Sequence, residues 1–347
     1  MDDTVTVTAT NIAQRDTIYT AEERKLFNLM TGFFRSKLLA CAVDFGLFTW
    51  LGNEEKSLDE IREQLQLPQR STRVFLDALV NSELLDVQRD RYVNTSLAKK
   101  YLIKGMGQYV GENVTLFDSM YRPCADLVDV LRNDSPNNPT YSYFFDNNSP
   151  EVEAYCDQMH QSSLIPALAM TQFHDFSEYQ TILDVGGGYG RTCVTLVSQY
   201  ENLRAILFEL PQVCEKAQDN LSNFWLANRI DVHPGNFFED EFPAADAILL
   251  MRITHDWPLE RVKQITKKAY DALPSGGRLL IYETFKNDGK IAPGDPAIIS
   301  LLLMLISPAG ECRSFEEIRD VLTDVGFGKV EFIPTVFIYS MIVAEKP

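Results

Sequence analysis

His255-Asp256-Trp257 directly follows an apolar run at 246–251. An imidazole at the carboxyl end of a strand stands where open α/β sheets bind their ligands. Its ordinary pKa, near about 6.5, suits a general base at neutral pH. The competing reading is a capping or core histidine; Asp256 and Pro258 also fit a helix start, so Asp256 need not be catalytic. Two acids fall at the same rim. Glu283 ends the run 278–283, and Glu311 lies in the loop Gly310-Glu311-Cys312-Arg313-Ser314. Either can bond the second ring nitrogen of His255, which fixes the tautomer and favours the imidazolium once a proton arrives. His160, His174 and His233 have no comparable placement; His174 beside Asp175 reads as a surface or helix-end residue.

A second group binds rather than reacts. Asp184-Val185-Gly186-Gly187-Gly188-Tyr189-Gly190-Arg191 follows the apolar Thr181-Ile182-Leu183 and precedes a helical stretch from Thr192 to Val197. Strand, glycine turn and helix make a nucleotide-binding corner, with the backbone close to the ligand and the helix N-terminus facing it. A dinucleotide fingerprint needs glycine or alanine three places after the second glycine, and Arg191 stands there. NAD is therefore disfavoured, and a ligand without a pyrophosphate, such as S-adenosylmethionine (SAM), is favoured. Glycines also serve ordinary turns; the flanking strand and helix tip the balance toward a ligand. Asp184, Gly186 and Gly188 become cofactor residues. Glu209 closes the second strand, 25 residues beyond Asp184, where a carboxylate accepts from both ribose hydroxyls; otherwise it is a surface acid. Asn236 and Phe237, after the third strand, offer an amide and a ring to adenine. Leu210 and Arg252 adjoin these positions and complete the cofactor set.

The elements that must hold these residues follow from periodicity. From Thr181 onward strands alternate with helices, which implies a parallel sheet. Strands are expected at 181–185, 204–209, 230–232, 246–251 and 278–283. Two closely spaced runs, 329–333 and 337–344, read as antiparallel neighbours. Residues 106–178 read as helical, broken by a loop at 133–139. Phe117, Met120, Tyr121, Tyr141, Tyr143, Phe144, Phe145, Tyr155 and Met159 cluster there by sequence. They read either as helix core or as the lining of a pocket for a flat apolar substrate. Phe117, Met120, Tyr121, Met159 and, later, Met304 are the pocket candidates.

The N-terminal third is different. Leu26, Phe27, Met30, Phe33, Phe34, Leu38 and Leu39 recur at helical steps, and the doubled residues widen the apolar face. A dimer interface and a plain core helix both explain that width. A capping box at Ser57–Glu60, a helix from Ser71 through Leu85, and a hairpin at 87–94 turning at Arg89-Asp90-Arg91 give a winged-helix pattern. Its second helix carries Arg70 and Arg73 against Asp77, Glu83 and Asp86, a net charge of −1. A recognition helix is basic or polar on its outer face, so a structural or dimerisation role is expected over DNA reading. The whole chain has 347 residues and a net charge of −17, which argues against nucleic acid and anionic membranes. Its length suits two domains. Six scattered cysteines without a C-x-x-C pair fit neither disulfide staples nor a zinc site, so free thiols in a reducing cytoplasm and no metal are expected. The first ten residues hold no apolar core and no run of eighteen apolar residues occurs, so neither signal peptide nor membrane span is expected.

Asp184–Gly190, Phe208-Glu209-Leu210-Pro211, Gly235-Asn236-Phe237-Phe238, His255-Asp256-Trp257 and Pro274-Ser275-Gly276-Gly277 stand in an order that resembles the SAM-dependent small-molecule O-methyltransferases with an N-terminal winged-helix dimerisation domain. The resemblance runs from about residue 21 to 347. It implies a class I, Rossmann-like sheet, mostly parallel with an antiparallel C-terminal hairpin. It implies a dimerisation domain over 1–105, a helical linker and substrate region over 106–178, and a SAM-binding catalytic domain over 179–347. It also implies a homodimer, a small and aromatic hydroxyl as methyl acceptor, His255 as its base, and Glu283 with an acid of the 310–314 loop steadying that base. Three positions depart from the pattern: Cys312 stands at the usual glutamate of that loop, Asn236 at a usual aspartate, and Glu209 at a frequent aspartate. Altered acids beside the base keep carbon methylation or a non-methylating reaction open, and a SAM-sensing regulator remains a third class.

Overall fold

The computed structural model describes residues 20–137, 139, 150–222, 224–286, 295–335 and 338–347. Residues 1–19, and Tyr141, Tyr143, Phe144 and Phe145, lie outside them. Two compact units divide at Asp118 and Ser119. The boundary falls inside the 106–178 segment, which is therefore divided between the units.

The first unit begins with α1 (Ala21–Asp44), started by a capping box in which Thr20 and Glu23 satisfy each other's backbone N–H. Short α2 (Leu47–Leu51), α3 (Leu58–Leu65) and α4 (Gln69–Asn81) follow, then a hairpin of β1 (Leu85–Gln88) and β2 (Arg91–Asn94), α5 (Ser96–Tyr101) and α6 (Gly111–Ser119). The winged-helix order is present, with shifted boundaries. Pro68 caps α4, which starts two residues before Ser71 because proline's fixed φ suits that end. The helix stops at Asn81, not Leu85, since Glu83 turns to φ 58° and Leu85 is already paired with Asn94. Arg89 and Asp90 both take positive φ, the twist that a two-residue hairpin requires. Leu47, Phe48, Leu51, Ile61, Leu76 and Leu79 form the core of this unit. The N-terminal half of α1 contributes nothing to it. Leu29 is 71% and Phe34 65% exposed, and Leu26, Phe27, Met30 and Phe33 are exposed beside them. A plain core helix is thus ruled out for that half. By length and apolarity alone α1 is also long enough to cross a membrane, although Arg24, Lys25, Arg35 and Lys37 interrupt its apolar run.

The second unit begins in helices: α7 (Leu127–Asn133), α8 (Pro150–Ser162) and α9 (Leu164–Phe173). A sheet in the order β5-β4-β3-β6-β7-β9-β8 follows. Its strands are β3 (Thr181–Val185), β4 (Arg204–Glu209), β5 (Ile230–Pro234), β6 (Ala247–Met251), β7 (Arg278–Glu283), β8 (Val330–Pro334) and β9 (Ser340–Glu345). β5, β4, β3, β6 and β7 pair in parallel, and β7-β9-β8 pair antiparallel. All five residues of β6 are buried, as expected of a strand covered on both faces. Its neighbours alternate their side chains between two apolar layers. The crossovers are α10 (Arg191–Gln199), α11 (Pro211–Ser222) and α12 (Leu259–Ala272), with α13 (Asp295–Met304) and α14 (Phe315–Val325) after β7. The antiparallel C-terminal end was legible because only about half a dozen residues separate its two strands, too few for a crossover.

Candidate active site at the carboxyl ends of the strands

Chain order reverses at β3: β4 lies on one side of it and β6 on the other. That switch point opens a crevice above the strand ends. The cleft there encloses about 1060 Å³ of empty space, its mouth included.

The glycine turn forms its floor. Gly186, Gly188 and Gly190 have φ of 69°, 56° and 79°, a region that strains other residues. A Cβ on Gly187 would lie 2.5 Å from both Asp184 Oδ2 and Leu207 Cδ1, whereas one on Gly188 meets nothing within 4 Å. Glu209, at the tip of β4, holds the turn: Gly188 N donates to its Oε2 at 3.0 Å, and Leu210 N to its Oε1 at 2.7 Å. Burial raises its pKa, and the two amides oppose that shift. Asp184 is almost wholly buried, and its Oδ1 has no hydrogen-bond partner. Burial pushes its pKa up to about 7, despite the Cys193 thiol at 3.5 Å from Oδ2. Asn236 is held by an Asx-type turn: Phe238 N donates to its Oδ1 at 2.9 Å. Phe237 and Phe238 set their rings edge-on to Trp257. Arg252, at positive φ after β6, donates to Ser162 Oγ at 3.1 Å, and also to Ser163 Oγ and Met159 O. Its guanidinium thus ties the α8–α9 junction to the sheet.

Asp184, Gly186, Gly188, Glu209, Leu210, Asn236, Phe237 and Arg252 all line this one cleft. The donor set fits SAM. Backbone amides and a carboxylate suit the ribose, aromatic edges suit adenine, and the open space over Gly188 admits a ligand close to the backbone.

His255 occupies a short 3-10 turn, Thr254–Asp256, after β6. Its side chain is 12% exposed, and Nε2 stands 3.6 Å from Asp256 Oδ2. The ring is not itself a wall of the cleft, but its neighbours Ile253, Asp256 and Trp257 are. Nδ1 is buried without a partner. Burial first, then Arg252 and Arg313, pushes the imidazole pKa down to about 3. The ordinary value expected from sequence does not hold in this enclosure.

Neither acid bonds the imidazole as the sequence suggested. Glu283 does not bond the ring. Its Oε1 accepts from the backbone N–H of Ile253, Thr254 and His255, and its Oε2 accepts from Thr254 Oγ1 at 2.9 Å. The cause is register. Met251 pairs with Tyr282, so Glu283 ends its strand beside the turn at Arg252, where successive N–H groups converge. Burial raises Glu283 to about 7. Glu311 forms ion pairs with Lys286 and Arg313, each at 2.6 Å. It meets His255 through the main chain alone among the described contacts, its N donating to His255 O at 2.9 Å. Cys312 is fully buried and its thiol is raised to about 11, chiefly by burial, so it cannot replace the missing acid. Among the pocket candidates Met159 lines the cleft; Met120, Tyr121 and Met304 are not among its walls, and Phe117 belongs to the first unit. Sequence reasoning missed His160, Ser163 and Tyr189, which also line it. No local signal marks the first two, because Arg252, some 90 residues away, brings them in.

The O-methyltransferase domain matches residues 121–328, and the O-methyltransferase dimerisation domain matches 27–104. The 3-hydroxy-5-methyl-1-naphthoate 3-O-methyltransferase of Streptomyces sahachiroi is 31% identical over 89% of this chain and 90% of its own. The N,N-dimethyltransferase OxyT of Streptomyces rimosus is 28% identical over 94% and 97%. Human N-acetylserotonin methyltransferase, solved with SAM, superposes at a TM-score of 0.83 over 95% of this chain and 99% of its own, at 23% identity; at that identity the likeness speaks for the fold.

Asp184 makes a signed prediction. Its folded pKa, about 7, exceeds its unfolded value, so the stability it contributes is present below about pH 4 and lost as pH rises through 7. Asp184→Asn removes that loss. Urea unfolding of the cofactor-free protein should show the variant gaining on wild type by up to about 1.4 kcal/mol per pH unit between pH 5 and 7. A difference independent of pH contradicts a buried, protonated Asp184.

Proposed function

The chain belongs to the O-methyltransferase family and uses SAM, and from that premise we propose that it methylates a hydroxyl of a small aromatic metabolite, with His255 taking the hydroxyl proton. The observation that carries this reading is the rim geometry: His255 stands between the cleft walls Ile253 and Asp256, in a turn whose backbone Glu283 grips. When bound, SAM supplies a methyl group already activated on its sulfonium. The chain then has two tasks. Glu209, the glycine turn and the aromatic edge hold the cofactor, and approximation of the acceptor can contribute roughly 7–11 kcal/mol. His255 removes the acceptor's proton as its oxygen bonds to the methyl carbon.

Burial, then Arg252 and Arg313, push the imidazole pKa down to about 3, so the ring rests neutral before the acceptor arrives. The same enclosure makes imidazolium costly until a negative oxygen lies beside it. Proton transfer is thereby coupled to the acceptor's arrival. Glu283 and Glu311 serve the base indirectly, one through the turn and the other through the loop backbone and its ion pairs. The aromatic nature of the acceptor rests on the naphthoate-methylating relative. The O-methyltransferase match favours oxygen over the carbon-methylating and regulatory alternatives. The nitrogen-methylating relative makes the position of the new methyl, read by NMR, the deciding observation.

His255→Ala should lower turnover about 10²–10⁴-fold and leave affinity for the demethylated product S-adenosylhomocysteine within a few-fold in calorimetry. Undiminished turnover contradicts the base.

The matched dimerisation domain and the exposed stripe of α1 support a homodimer in which a second copy covers Leu29, Met30 and Phe34. An apolar stripe of this width seldom stays exposed on a monomer. Its assignment to a dimerisation domain favours that partner over a membrane. Six free cysteines support a reducing, cytoplasmic setting. Met30→Asp with Phe34→Asp should halve the mass in sedimentation velocity. An unchanged dimer mass removes α1 from the interface.

A further inference from the structure

His160 is the cleft histidine that the proposed reaction does not use. It lies in the last turn of α8 and lines the cleft. Two arginines fix its backbone. Arg191, at the start of α10, donates from Nε to His160 O at 3.2 Å. Arg252 holds the residues on either side, Met159 through its carbonyl and Ser162 and Ser163 through their hydroxyls. The ring lines the cleft, 6.0 Å from that of Tyr189. Its Nδ1 is sealed from solvent and has no hydrogen-bond partner.

That asymmetry selects a tautomer. A buried donor without a partner costs more than an acceptor lone pair left unused. The proton therefore belongs on Nε2, the nitrogen that is not sealed. Burial and the Arg191 charge push the pKa to about 4, so the ring stays neutral and offers a single N–H. Hydrogen bonds gather Arg191, Arg252, His160 and Ser163 in one part of the cleft wall. Glu209, whose main chain accepts from Gly235 N, and Asn236 with Phe237 and Phe238 form a second group on the wall: a carboxylate, an amide and aromatic rings.

SAM is equally lopsided: an adenosine at one end and an amino-acid tail, with its carboxylate, at the other. We propose that His160 donates Nε2–H to the tail carboxylate of the cofactor, with Arg252 and Arg191 acting as positioning residues that hold the α8 terminus in place. The assignment rests on the SAM reading above and deepens it. It makes His160 a determinant of which adenosyl sulfur compounds the cleft accepts.

Calorimetry with two probes tests it without turnover: S-adenosylhomocysteine, which carries the tail, and 5′-methylthioadenosine, which lacks it. His160→Ala should weaken S-adenosylhomocysteine about tenfold or more, the scale of a hydrogen bond to a charged group, and leave methylthioadenosine within about twofold. His160→Gln, which returns an N–H at similar reach, should recover most of the lost affinity. Equal losses for both probes, or no loss for the first, overturn the proposal, because a residue that only packs the wall cannot tell the probes apart. A glutamine no better than alanine overturns donation. A wild-type protein that binds neither probe fails the cofactor reading itself, an outcome distinct from the others.

Discussion

The Glu283 carboxylate is fully buried and accepts from three consecutive backbone N–H groups and one hydroxyl. An unpaired buried carboxylate is costly, and amides turned inward without an acceptor are costly too. Each cancels the other here. The chain leaving β6 must therefore bend at Arg252, the position with positive φ, so that Ile253, Thr254 and His255 present their N–H groups together. Reactive-rim geometry follows from that bend. His255 comes to lie between Ile253 and Asp256, Asp256 and Trp257 enter the cleft wall, and the 307–313 loop docks on the turn. Ser307 Oγ donates to Asp256 O, Arg313 to Trp257 O and Glu311 N to His255 O.

Burial sets opposite charge preferences within this small volume. Asp184 and Glu283 are raised to about 7, whereas His160 and His255 are lowered to about 4 and about 3. Raised carboxylates lose stability as pH climbs from about 4 to 7, and lowered histidines lose it as pH falls below about 6.5. The two tendencies oppose each other across one window. Burial thus works against charge on all four groups, while the donors around Glu283 oppose that shift.

The sheet was legible because its determinants are local. Apolar runs ending at Val185, Glu209, Met251 and Glu283 marked four strand ends, and the glycine turn and Glu209 line the cleft at two of them. Boundaries slipped where one residue's backbone decided them, as at Glu83 in the first unit. The roles of Glu283 and Glu311 were misread for a different reason. Sequence places both acids near His255 but does not say whether a carboxylate meets a ring or a backbone; the register of β6 against β7 decides that for Glu283, and Lys286 with Arg313 decides it for Glu311. His160 and Ser163 were illegible because a contact spanning some 90 residues delivers them. The exposed half of α1 was half legible: its apolar width was plain, and its lack of cover within the first unit was not.

A double-mutant cycle on turnover tests most directly whether Glu283 acts by holding the His255 turn. Glu283→Gln replaces one accepting oxygen with a donor among converging amides, and alone it should lower turnover at least about tenfold. Introduced into a His255→Ala background, it should cost no more than about twofold further, because the base it positions is already gone. Two losses that simply multiply would contradict the account and give Glu283 a role independent of the imidazole.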